Sequence, residues 1–354
     1  MSDPDPVLQT VPLTGSPWPT VDPFLFCAHH HDAYPAGNEQ LGPKASLEGR
    51  QIGQDFAAVD GWNMYHGQVV PGFPQHPHRG FETVTYVREG IIDHSDSLGA
   101  AARFGRGDTQ WLTAGGGIVH SEMFPLLDPD ADNPLELFQI WLNLPAVDKL
   151  VDPHFAMLWD RDTPRLEVVD DAGRRTSVTV VAGELAGLVP ASPPPHSWAS
   201  REDNDVAIWH VHLDAGASWE MPAAAGPDTV RMLYLFEGDD LSVDDHRLGG
   251  STGALLRTDT AVTLASDGGA EALVLQGRPI GEPVAQYGPF VLNDQAGIEQ
   301  AFADYRRTQF GGWPWPADDP VHGGAELGRF ARHADGSVEA AEAADAPPQA
   351  IASA

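Results

Sequence analysis

Two short patterns constrain this chain more than anything else in it: HPH at 76–78 and HSE at 120–122. Each sits among β-branched and aromatic residues, FETVTYV after the first and TQWLT before the second, which is the composition of strands. A strand sends residues i and i+2 to one face, so His76 and His78 share a side, as do His120 and Glu122. If the two strands face each other across a barrel, three imidazoles and one carboxylate converge. That donor set suits one mononuclear transition metal with coordination positions left open. Gly115, Gly116 and Gly117 allow a tight turn just before the second pair.

The HxH pattern alone is weak, and the chain contains a second example. His210 and His212 in WHVHL have no histidine to join them in the segment before Tyr234, and no HxE follows in GALLRTDTAVTLASDGG. That pair reads as structural. Around His76 the remaining polar residues sort by alternation. Along one unbroken strand Glu82 falls on the same face as His76 and His78, pointing inward, where a buried carboxylate needs a partner. Gln139 points opposite to Phe138 and so towards the cavity. His94, in the turn-rich IIDHSDSLG, reads as a surface residue, with a place at the mouth of the pocket as the alternative. The run His29, His30, His31 reads as solvated loop, because three adjacent side chains cannot share one face of a strand.

Taken together, HPHRGFETVTYV and GDTQWLTAGGGIVHSEM resemble the signature of the pirin family, bicupin proteins of the cupin superfamily. The resemblance extends through DPFLF at 22–26, FQIWLNLP at 138–145 and PVAQYGPFVLND with IEQAFADYR within 283–306, covering most of residues 20–310. It implies an all-β fold of two tandem cupin (jelly-roll type) β-barrels with a C-terminal helix. It places the metal ligands at His76, His78, His120 and Glu122, and leaves Glu82, where many other cupins carry a ligand, beside them. The motif-two proline of the generic cupin pattern is replaced near Thr113 to Gly115, as is usual for pirins. The resemblance implies Fe(II), one per chain, although Zn(II), Mn(II), Ni(II) and Cu(II) fit the same donors. The implied activity resembles quercetin 2,3-dioxygenase, with a flavonol and O2 as substrates and Glu122 or Glu82 as the base. The other implied role is a redox- or metal-sensing co-regulator that binds a transcription factor or enzyme.

The expected organisation is a flexible N-terminus (1–20), a metal-binding cupin domain (21–150) and a connection (151–199) that includes the stiff stretch PASPPPH. A second cupin domain without metal ligands follows (200–285), then a helical segment (286–315) and an acidic, disordered tail (316–354). Setting VTYVREG beside RMLYLFEG aligns Tyr86 with Tyr234 and Gly90 with Gly238, an internal duplication. In the helical segment Asp294 is placed to cap, Ile298, Phe302 and Tyr305 share a face, and Gly311-Gly312 ends the run.

Charge narrows the partners. With 51 acidic residues against 20 basic ones the formal net charge is −31, which repels nucleic-acid phosphates. Lys44 and Lys149 are the only lysines. A halophile-like surface and arginine-rich codon usage both fit that bias. No apolar run spans a bilayer, the N-terminus lacks a basic region with an apolar core, and Cys27 stands alone, so the expected setting is the reducing cytoplasm.

Overall fold

The computed structural model describes residues 5–341, and the chain divides into two compact units with exchanged ends. One unit takes the chain up to Ala28, then Ile140–Pro145 and Asp162–Gly281. The other takes His29–Gln139, Ala146–Arg161 and the chain from Glu282. Both are sandwiches of antiparallel sheets, the all-β architecture that the family resemblance implies.

In the first unit a seven-stranded sheet runs in the order Val7–Pro12, Thr252–Leu256, Val230–Glu237, Ala270–Gly277, Ala207–Leu213, Arg175–Ala182, Arg165–Val169. A second sheet of four strands completes it. Val211, Leu233 and Val274 of the first sheet pack with Trp219, Met221 and Leu264 of the second to form the core. His210 lies 2.6 Å from Glu271 across this sheet, the structural role expected of it.

Part of the N-terminus anticipated as flexible at 1–20 is ordered: Val7–Pro12 forms a strand on Thr252–Leu256, and Trp18 stacks on Tyr234 at 5.3 Å, while residues 1–4 lie outside the described part. An exposed sheet edge is a row of unpaired backbone groups, and this segment covers one. The connection expected at 151–199 also carries strands, His154–Leu158, Arg165–Val169 and Arg175–Ala182.

Most of a five-stranded sheet lies in the second unit; it runs His154–Leu158, Thr109–Thr113, Phe81–Glu89, Leu135–Asn143, Phe24–Asp32. Its six-stranded companion runs Val338–Ala340, Phe330–Arg332, Ala101–Gly105, Ile91–Asp96, Ile118–Met123, Gly72–His78. Val87, Leu112 and Leu137 from one sheet pack against Ile92, Phe104 and Ile118 from the other. The tail expected to be disordered is therefore ordered as far as residue 341, because Phe330–Arg332 pairs with the otherwise open edge at Ala101–Gly105. Residues 342–354 lie outside the described part.

The helix Gln295–Thr308 starts as expected, with Asp294 accepting from the Gly297 N–H at 2.7 Å, and packs Ile298, Phe302 and Tyr305 against Phe290. Its end differs. The left-handed cap is Gln309 (φ 47°), two residues before the glycine pair.

Candidate metal centre

The strands Gly72–His78 and Ile118–Met123 lie side by side, with His76 opposite His120 and Phe73 opposite Glu122. A bulge between Phe73 and His76 shifts the register. Such a bulge re-aims side chains, and it puts the Pro74 carbonyl 2.9 Å from His76 Nδ1. A carbonyl can only accept, so Nδ1 carries the proton and Nε2 keeps its lone pair, the tautomer a metal requires.

Ring centroids of His76, His78 and His120 are 4.4–4.9 Å apart, and one ligand nitrogen from each lies within 4.8 Å of the others. Both ring nitrogens of the fully buried His120 lack a hydrogen-bond partner. Orphaned buried groups of this kind are costly unless something fills the gap. Burial lowers the pKa of all three imidazoles, to about 4 for His76 despite the opposing Pro74 carbonyl, and well below the ordinary histidine value for His78 and His120. They are neutral near pH 7, as ligands must be. Donor type, tautomer and unsatisfied nitrogens all fit a transition metal.

The two glutamates part company. Glu122 Oε2 lies 3.9 Å from His120 Nε2. Thr85 Oγ1 sits 3.1 Å from Glu122 Oε1, and Gln139 Nε2 donates to Glu122 Oε2 at 3.3 Å, so Gln139 reaches the cavity as its alternation predicts. Burial raises the Glu122 pKa, opposed by His94, Thr85 and Gln139.

Glu82 does not join them. The chain breaks between His78 and Phe81 at Gly80, whose φ of +86° is left-handed and where any Cβ would strike the Val291 carbonyl oxygen. Beyond that break the odd-numbered residues face the histidines: Phe81 packs on His78 and Thr85 meets Glu122. Glu82, on the other face, takes the Thr113 hydroxyl at 2.6 Å instead. The inward aim expected of Glu82 rested on one continuous strand, and the structure corrects it.

Further residues frame the site. His94 is fully buried, not superficial: it pairs opposite Glu122, stacks on Phe155 at 5.4 Å and 3°, and lies 5.5 Å from the His120 ring. Asp96 Oδ2 is 3.3 Å from its Nε2, while its Nδ1 has no partner. Gln110, opposite Thr85, is likewise buried with both amide atoms unpaired. The alternation of TQWLT could have found Gln110; nothing local marks His94. Arg79, next to His78, holds the glycine turn and the helix, donating to Gly116 O at 2.7 Å and to Asp304 at 2.9 Å. In that turn Gly115 has φ +48°, and a Cβ there would collide with the Val151 carbonyl.

A family model described as Pirin matches residues 9–142, and one described as Pirin C-terminal cupin domain matches residues 208–311. The chain belongs to the pirin family. This pirin is 37% identical, over 68% of its own length and 79% of the relative's, to a Pseudomonas aeruginosa protein provisionally named as a quercetin 2,3-dioxygenase. It is 32% identical to Pirin of Rattus norvegicus, over 71% of this chain and 81% of that one. Among solved structures it resembles quercetin 2,3-dioxygenase from Acinetobacter baumannii, with a TM-score of 0.65 and 28% identity, covering 82% of this chain and 87% of that one. It carries two pirin cupin domains, whose matched ranges cross the bounds of the two compact units. No helix among its described residues is long and apolar enough to cross a membrane.

Proposed function

We propose that this pirin is a metal-dependent dioxygenase that opens the heterocycle of a flavonol such as quercetin with O2. In this reading Fe(II), one per chain, is held by His76, His78, His120 and Glu122. The observation that carries it is the neutral histidine triad, two members buried and His76 half-buried, all within ligand reach, in a chain whose relatives bear the quercetin dioxygenase name. When bound, Fe(II) supplies open coordination positions and the one-electron chemistry that joins a chelating substrate to O2.

The protein side of the chemistry falls to a few residues. Three imidazoles offer lone pairs without a proton to displace. Glu122 is steadied by Thr85 and Gln139, and a dication beside it would oppose the effect of burial and keep its carboxylate ionised. One of its oxygens is then the base nearest the histidines for the hydroxyl proton of an arriving flavonol. Glu82, bonded to Thr113 on the far face, is assigned no part in proton transfer.

The test is flavonol consumption with O2 uptake by Fe(II)-loaded protein, near neutral pH. Free metal oxidises flavonols unaided, so His120→Ala at the same total metal is the comparison. Turnover by wild type well above the variant is expected. Equal rates would overturn the dioxygenase reading and leave the metal-sensing role ahead.

A further inference from the structure

The three adjacent histidines on the strand Phe24–Asp32 divide between the two faces of their sheet. His29 stacks on Phe138 at 4.7 Å and lies 2.8 Å from Glu136, and Phe138 stacks in turn on Tyr86. Those residues share one face. His30 belongs to the other, the face of Thr85 and Gln139 that turns towards Glu122.

A chain of hydrogen bonds fixes the His30 ring. The Tyr65 hydroxyl donates to Asp32 Oδ2 at 2.6 Å, and Asp32 also accepts from the backbone and side-chain nitrogens of Asn63. With its one proton given to a carboxylate, the Tyr65 oxygen accepts from His30 Nδ1 at 2.8 Å. The ring proton is thereby fixed on Nδ1, and Nε2 is left with a lone pair and no partner among the described residues. Burial, reinforced by His29, pushes the His30 pKa down to about 4, so the ring is a neutral acceptor. It stands half-buried, edge-on to Phe73 at 5.9 Å, and Phe73 is 6.4 Å from the His76 ring. An acceptor of fixed tautomer beside an aromatic wall suits a hydroxyl on a flat ring.

We infer that His30 Nε2 accepts a hydrogen bond from a phenolic hydroxyl of the substrate remote from its metal-chelating oxygens, selecting polyhydroxylated flavonols over those with the chelating hydroxyl alone. The inference rests on the flavonol reading above. Tyr65 and Asp32 are positioning residues that act through the ring. A site built for a hydroxyl loses affinity when either partner of that bond is removed, by on the order of ten-fold for one bond.

The experiment uses the full chain loaded with Zn(II), so that binding is read without turnover, by absorption titration with quercetin and with 3-hydroxyflavone. Wild type should prefer quercetin. In His30→Phe the preference should drop about ten-fold, entirely through quercetin, with zinc content and 3-hydroxyflavone affinity unchanged. His30→Gln, which restores an acceptor, should recover part of the preference, and Tyr65→Phe, which releases the tautomer, should fall between. An unchanged preference in His30→Phe overturns the assignment, as does an equal loss of affinity for both compounds. If wild type binds neither flavonol, the flavonol reading falls and takes this assignment with it.

Discussion

Arg103 offers a quantitative test of the ordered segment after residue 316. Its guanidinium is buried and makes five hydrogen bonds: two of 2.7 Å to Asp93, and one each to the carbonyls of Gly323, Gly324 and Leu327. Arg103→Met keeps the aliphatic volume and deletes all five. Asp93 is fully buried and would keep only the His322 backbone N–H at 2.7 Å. Breaking a buried pair from one side costs about 3–5 kcal/mol, because a charge is left uncompensated. A surface pair would cost about 0–1 kcal/mol. We therefore expect a loss of about 4 kcal/mol in urea unfolding at neutral pH. Amide exchange should accelerate at Phe330–Arg332, and proteases should cut within 316–341. Adding Asp93→Asn to the variant removes the stranded charge and should recover a large part of the loss. A loss below about 1 kcal/mol, with exchange unchanged, would refute the idea that this guanidinium anchors the segment.

Two further outcomes are expected. Glu122→Gln should lower metal affinity strongly from about one equivalent per chain, whereas Glu82→Gln should change it by no more than about 10–100-fold; metal titration with elemental analysis checks the ranking, and the reverse order would sink the ligand assignment. Lys149, buried and donating to Gly80 O at 2.8 Å and Val291 O at 3.1 Å, has its pKa lowered by desolvation from 10.5 to about 8. Below pH about 8 both folded and unfolded states hold the proton, and the full cost is present. Between about 8 and 10.5 the folded state releases it first, so this residue's contribution to stability should rise with pH, by roughly 3 kcal/mol across the window. Lys149→Met should flatten that slope in denaturant unfolding measured at pH 8 and pH 10.

The histidine cluster was legible because alternation within a strand is local, and HPH and HSE carry it in three residues each. The same rule misplaced Glu82, since it was counted through Gly80, where a left-handed residue interrupts the strand and exchanges the faces. For the triple histidine the premise was sound and the inference was not. Three adjacent side chains do fail to share a face, and they satisfy this by standing on two faces of a strand. His94 carries no periodic signal in a polar stretch; its burial comes from Phe155 and His120, which are distant in sequence. The segment 316–341 is small, acidic and poor in apolar residues, which reads as disorder when taken alone. Its order is supplied by Arg103 and by an open strand edge more than two hundred residues earlier. Long-range pairing of that kind leaves no mark in local composition.

The exchanged ends also set an order of assembly during synthesis. The unit built around Val230–Glu237 has all its strands once the ribosome has passed Gly277. The unit with the three histidines, which enters at His29, still waits for the segment that begins at Glu282. Until then the edge at Ala101–Gly105 has no neighbour and Asp93 lacks the backbone amide of His322. The half that carries the histidine triad is thus the last to be completed, and the surroundings of those side chains close late in the life of the chain.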